Sequence, residues 1–273
     1  MTMTLREALQ KAIAEFSEYG YDRPERLSEW MQRLRAIVRQ DQPSKDLMQD
    51  RLKAALDTYF QRRLSYRTTR RNHPGVRRYT IDRIKPQLRS ELSRRILASA
   101  DLIKLNRDEA TEKTLRRFAG WASSVPAGGS SVVAKGETKQ DILKSLRQLD
   151  YVERRVVIDQ GHKLMSSVDA VIAQQTGAIA AVWRSHWKRP GYDYRPDHKE
   201  RDQKFYLIRG SWAQEKGYVK PDEAGYTDQI TAPAEEPFCE CYFVYLTSLR
   251  QLPESMLTAK GREALEATRI KTA

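Results

Sequence analysis

Ala178-Ile179-Ala180-Ala181-Val182-Trp183 follows Gly177 and gives way to Arg184-Ser185-His186. The run is short, wholly apolar and bounded by turn residues, which suits a buried strand better than a helix. Two further runs of this kind lie downstream, Phe205-Tyr206-Leu207-Ile208 and Cys241-Tyr242-Phe243-Val244-Tyr245-Leu246. The loop region between them is rich in Gly, Pro, Asp and Glu. Upstream of Gly177 the periodicity is helical throughout. The expected fold is therefore α+β, with a mainly helical N-terminal part and a small C-terminal α+β module.

Working back toward the N-terminus, residues 138–175 read as a long helix or helix pair interrupted near Gly161, with Ile142, Leu146, Leu149, Val152, Val156 and Val157 as its apolar side. Before it stands Ala122-Ser123-Ser124-Val125-Pro126-Ala127-Gly128-Gly129-Ser130-Ser131, which has the composition of a flexible linker. A helix is expected over about residues 107–121. Another is marked by Ile84, Leu88, Leu92 and Ile96, with Pro86 in its first turn, where a missing N–H costs least. Residues 44–64 form a further helix, and residues 5–38 two short ones separated by a turn at 20–24. Past the last strand a short polar helix and a frayed end complete the chain. The signals divide the sequence into a helical Arg-rich region (1–122), a linker (123–137), a module (138–252) and a tail (253–273).

With 273 residues and 40% hydrophobic side chains, the chain can bury a sizeable core, which excludes general disorder. It has no uncharged apolar run of the roughly 18 residues that a membrane span needs, and its start lacks the apolar stretch of a signal peptide. No membrane partner and no ordinary secretion are expected. Cys239 and Cys241, one residue apart, are badly placed to bridge each other, so a reducing compartment is the natural setting.

The formal charge of +13 comes from 49 Lys and Arg against 36 Asp and Glu. Net +11 of it lies in residues 51–100, which hold 14 basic and 3 acidic side chains, whereas residues 151–250 balance at 14 of each. Inside this stretch, Asn72-His73-Pro74-Gly75 breaks any helix, so a basic loop between helices is expected. Arg62, Arg63, Arg67, Arg70, Arg71, Arg77 and Arg78 are the candidates for phosphate contact with double-stranded DNA, because guanidinium groups bind phosphate without reading sequence. An acidic protein surface is an alternative partner of the same charge.

Two clusters could carry chemistry. His186, His198, Cys239 and Cys241 have the donor types of a tetrahedral zinc site, although the spacing follows no standard pattern. Cys-x-Cys in a strand points both side chains to one face, which permits shared ligation and equally suits two small core residues. Trp183, Asp193, Arg195 and His198 suit a clasp that closes a long loop on the sheet, with a catalytic acid/base site as the alternative. No nucleophile or second carboxylate stands at an identifiable spacing, and phosphate-loop patterns are lacking. No catalytic residue or cofactor is assigned, a structural zinc aside.

A helix, a short strand ending in Trp183, Asp193-x-Arg195-x-x-His198, a Gly- and Pro-rich loop, and Cys239-x-Cys241 before an apolar strand occur in this order. The arrangement resembles the Mu F-like head morphogenesis family of tailed bacteriophages over about residues 140–250. This chain has Cys-Glu-Cys where the family usually has Cys-Arg-Cys, and Ile158-Asp159-Gln160 where the family commonly carries Thr-Glu. The N-terminal helical part, including residues 118–124, looks like the variable helical region preceding the module. The resemblance implies a minor head protein, a non-enzymatic virion component made in the host cytoplasm and carried in the phage head. Its implied partners are the portal protein and inner capsid, with packaged DNA nearby. The competing expectation is a metal-dependent nuclease or phosphodiesterase, with a metal at the His and Cys residues and DNA held by the basic segment.

Overall fold

The computed structural model describes residues 3–41, 43–130 and 136–270. In chain order the helices are α1 (Leu5–Tyr19), α2 (Pro24–Asp41), α3 (Lys45–Leu64), α4 (Tyr66–Asn72), α5 (Arg78–Ser124), α6 (Gly136–Arg147) and α7 (Leu149–Gln175). Beyond them come β1 (Ala180–Arg184), α8 (Pro196–Glu200), β2 (Phe205–Leu207), α9 (Trp212–Glu215), β3 (Tyr242–Leu246) and α10 (Ala259–Ile270). A mainly helical region thus precedes a small module with a three-stranded antiparallel sheet, the α+β class expected from the sequence.

The chain folds into two compact units, each discontinuous in sequence: Met1–Arg51 with Ala98–Val156, and Leu52–Leu97 with Val157–Ala273. In the first, Leu5, Ala8, Leu9, Ala12 and Phe16 of α1 pack against Trp30 and Leu34 of α2, Leu115 and Phe118 of α5, and Ile142 and Leu143 of α6. The Phe16 and Phe118 rings meet edge to face, 5.8 Å apart. Of the composition-defined linker, residues 131–135 lie outside the described residues. Residues 125–130 cap α1: the Gly128 and Ser130 N–H groups donate to Tyr19 O and Ser17 O at 3.0 Å, and Val125 is buried. Carbonyls that a helix end leaves without partners are thereby satisfied.

In the second unit, Leu56, Phe60 and Leu64 of α3, Ile81, Ile84, Leu88 and Leu92 of α5, and Leu164, Val168 and Ile172 of α7 form one helical core. The sheet order is β2-β1-β3, so β1 is central and covered on both faces, which accounts for its unbroken apolar run. Ala180 and Val182 face a core with Leu207, Leu246 and Met256, whereas Ala181 and Trp183 face Tyr206, Phe243, Tyr245 and the two cysteines. This is the two-residue alternation of a pleated strand.

Three local expectations are corrected. The helices expected around residues 84–96 and 107–121 are one, and because α5 begins at Arg78, Pro86 lies in its interior, on the exposed side. The basic loop is shorter than its composition suggests. Ser65 caps α4 by accepting from the Thr68 N–H, so residues 66–72 are helical and the break falls at His73-Pro74-Gly75. The interruption in residues 138–175 falls at Gln148, while Gly161 is helical, and a Cβ there would lie 2.8 Å from the Tyr59 ring.

Candidate metal centre

Three segments of the second unit converge beside the sheet. The end of β1 contributes Trp183 and Ser185, and α8 contributes His198. The loop entering β3 contributes Cys239 and Cys241. All three potential ligands are buried, with His198 2%, Cys239 1% and Cys241 3% exposed. Their ligand atoms lie within 4.8 Å of one another. His198 Nδ1 is 3.5 Å from Cys239 Sγ and 3.6 Å from Cys241 Sγ. On its other side His198 Nε2 faces Asp197 Oδ2 and Glu236 Oε2, each at 3.8 Å, and has no hydrogen-bond partner among the described residues. The Trp183 ring meets the imidazole edge to face, with centroids 5.2 Å apart.

The surrounding chain fixes this arrangement. Asp202 accepts from the Ser185 N–H at 2.9 Å and from Trp187 Nε1 at 3.1 Å, which pins the turn after β1. The Ala234 N–H donates to Cys239 Sγ at 3.4 Å, and Ala234 and Phe238 both have positive φ, 64° and 62°. A non-glycine residue in that region costs about 1–3 kcal/mol, so the loop is held in a shape it would not choose alone. Asp159 of α7 helps to hold it by accepting from the Phe238 N–H at 2.8 Å. The hydrogen bond shared with Cys241 lowers the Cys239 thiol to about 6 against the opposing effect of burial, and the same bond raises Cys241.

Of the four residues expected to share a metal, His198, Cys239 and Cys241 come together and His186 does not. Its ring lies against Tyr242 at 5.7 Å, and burial holds its pKa down. The expected clasp is present in altered form. Arg195 pairs with Glu236 and donates to Pro237 O at 3.0 Å, tying the start of α8 to the cysteine loop. Asp193 is exposed and stands apart from it. The carboxylate at work is Asp197, which pairs with Arg201 at 2.7 Å while that guanidinium lies over the Trp183 ring.

The basic candidates also separate. Arg62, Arg67, Arg70, Arg71, Arg77 and Arg78 are exposed, with Arg71 over the Tyr242 ring at 4.8 Å and Arg78 donating to Leu64 O at 2.8 Å. Arg63 points inward. Its guanidinium pairs with Asp169 of α7, and the same carboxylate accepts from Asn72 Nδ2 at 3.3 Å and meets His73 Nε2 at 3.1 Å. His73 stacks on Tyr245 with ring centroids 5.4 Å apart and planes within 3°. His73, placed by the sequence only in the helix break at 72–75, is part of this buried knot.

The donor set of the His-Cys-Cys cluster suits a soft or borderline cation, and its burial suits structural ligation better than attack on a substrate. No family model, curated protein or solved structure matches the chain.

Proposed function

We propose that the chain is a minor head protein of a tailed bacteriophage, with its C-terminal module docking on the portal or inner capsid and its exposed Arg-rich segment meeting double-stranded DNA. The supporting observation is convergence. Trp183, His198, Cys239 and Cys241, on which the family resemblance rests, come from three separated stretches and meet in one buried cluster, while Arg195 ties α8 to the cysteine loop at its edge. Residues gathered in that way define a module, and a sealed cluster fits a structural component better than a nuclease, whose metal must admit a phosphodiester.

For DNA contact, Arg62, Arg67, Arg70, Arg71, Arg77 and Arg78 are the residues that remain once Arg63 is committed to Asp169. Duplex binding measured at several salt concentrations tests this half of the reading. Replacing the six with Gln should weaken binding and flatten the slope of log K against log salt by up to about 5, at roughly 0.9 for each phosphate no longer neutralised. An unchanged slope removes DNA as the partner. The docking half predicts co-purification with the portal protein made beside it in the same cell, and loss of that association when residues 178–250 are deleted. Association that survives the deletion moves the interface to the helices.

A further inference from the structure

We propose that His198 Nδ1, Cys239 Sγ and Cys241 Sγ bind one zinc ion that ties α8 to the loop entering β3. The inference stands independently of the head-protein reading, because it rests on the geometry of three side chains and their surroundings.

Spacing carries the first part. Zinc holds sulfur at about 2.3 Å and imidazole nitrogen at about 2.0–2.1 Å, and tetrahedral angles then place nitrogen and sulfur about 3.6 Å apart. The two nitrogen–sulfur distances are 3.5 and 3.6 Å. Hydrogen bonding alone accounts for them poorly. A neutral imidazole offers one lone pair, which can accept from one thiol, yet both sulfurs stand at nearly the same distance from the same nitrogen. A cation between the three atoms satisfies all of them.

The surroundings carry the second part. A thiolate bound to metal is stabilised by N–H groups directed at sulfur, and the Ala234 N–H is so directed at 3.4 Å, from a backbone held at positive φ. Metal-bound histidines present their other ring nitrogen to a carboxylate, which fixes the ring and raises its basicity. His198 Nε2 faces the carboxylates of Glu236 and Asp197, and Arg195 holds Glu236 in place. Three protein ligands leave the fourth position to Ser185 Oγ, 3.7 Å from Cys241 Sγ, or to a water molecule. Two sulfurs and one nitrogen favour zinc over magnesium or calcium, which take oxygen ligands. A metal tie between segments 41 and 43 residues apart would contribute directly to folding.

The test uses the full chain purified under reducing conditions. Elemental analysis should find about one zinc per chain. Protein reconstituted with cobalt should show the thiolate charge-transfer band and the intense visible bands of a tetrahedral site. The Cys239→Ser/Cys241→Ser double variant should lose both signatures, and His186→Gln should keep them. Glu236→Gln leaves the ligands in place and should weaken zinc binding about 10- to 100-fold in competition with a chromophoric chelator. Metal-free protein that gives no cobalt spectrum overturns the proposal, as does a Cys239–Cys241 disulfide in the native chain or full zinc retention by the double variant. The wild-type measurements decide the question even where a variant fails to fold.

Discussion

At the residue scale, Asp169 has the largest consequence. It is the single charged residue between Lys163 and Arg184, and that isolation inside a helical apolar pattern was the signal available in the sequence. The sequence did not disclose its partner, because Arg63 is indistinguishable from its exposed neighbours until α3 and α7 are packed together. Removing the carboxylate leaves a buried guanidinium uncompensated, so Asp169→Ala should cost about 3–5 kcal/mol in urea unfolding. The double replacement Arg63→Met/Asp169→Leu should recover most of that loss, since an apolar pair of similar volume replaces a buried ion pair at little cost. A double variant as unstable as the single one would mean that the interaction with Asn72 or His73, rather than the charge pair, sets the penalty. His73 adds a pH dependence. Burial, reinforced by Arg63, pulls its pKa down to about 3. The unfolded chain therefore takes up a proton below about pH 6.5 that the folded chain refuses. Stability should fall as pH drops from there toward 3, by at most about 1.4 kcal/mol per unit from this residue. The slope should shrink in His73→Gln; equal slopes in the two proteins would mean that other groups account for the acid sensitivity.

At the scale of elements, sequence reading located the strands well and the helix limits poorly. Each strand is a local apolar run, and β1 announces its central position by being apolar on both faces. Helix ends depend on partners distant in sequence. Gly161 is helical and leaves room for the Tyr59 ring, and Gly128-Gly129-Ser130 reads as flexible chain although the Gly128 and Ser130 amides close the end of α1. The Cys-x-Cys pair was legible as two sulfurs on one face. His186 was grouped with them by residue type, which carries no information about where a ring points. The cap on α1 gives a sharp expectation. Gly129 has φ +80°, and a Cβ there would come within 2.3 Å of Glu18 O and 2.4 Å of Ser17 O. Gly129→Ala should therefore destabilise the first unit by more than about 1 kcal/mol, measured as a lower melting temperature. Gly128, at φ +90° with open space around its Cβ position, should tolerate alanine better. Equal losses at the two positions would show that backbone conformation, and not the close approach to α1, sets the penalty.

For the whole molecule, apolar patterning carries the class of fold and charge counting the location of the basic segment, but neither carries the division of the chain. Residues 52–97 belong with residues from 157 onward, across a stretch that folds into the other unit. Apolar stripes on α3, α5 and α7 show that each needs a partner without specifying which one. Among the described residues no helix is long and apolar enough to cross a membrane. The net charge is concentrated in residues 51–100, and most of that basic segment folds into the same unit as the nearly neutral module. The knot at Asp169 also bears on how the protein is made. Arg63 lies 106 residues before its carboxylate. At a synthesis rate of about 5–20 residues per second, the basic segment leaves the ribosome roughly 5–20 seconds ahead of the helix that neutralises its inward arginine. During that interval the nascent chain carries its densest positive charge beside ribosomal RNA without α7, whose arrival is what first gives Arg63 its buried carboxylate.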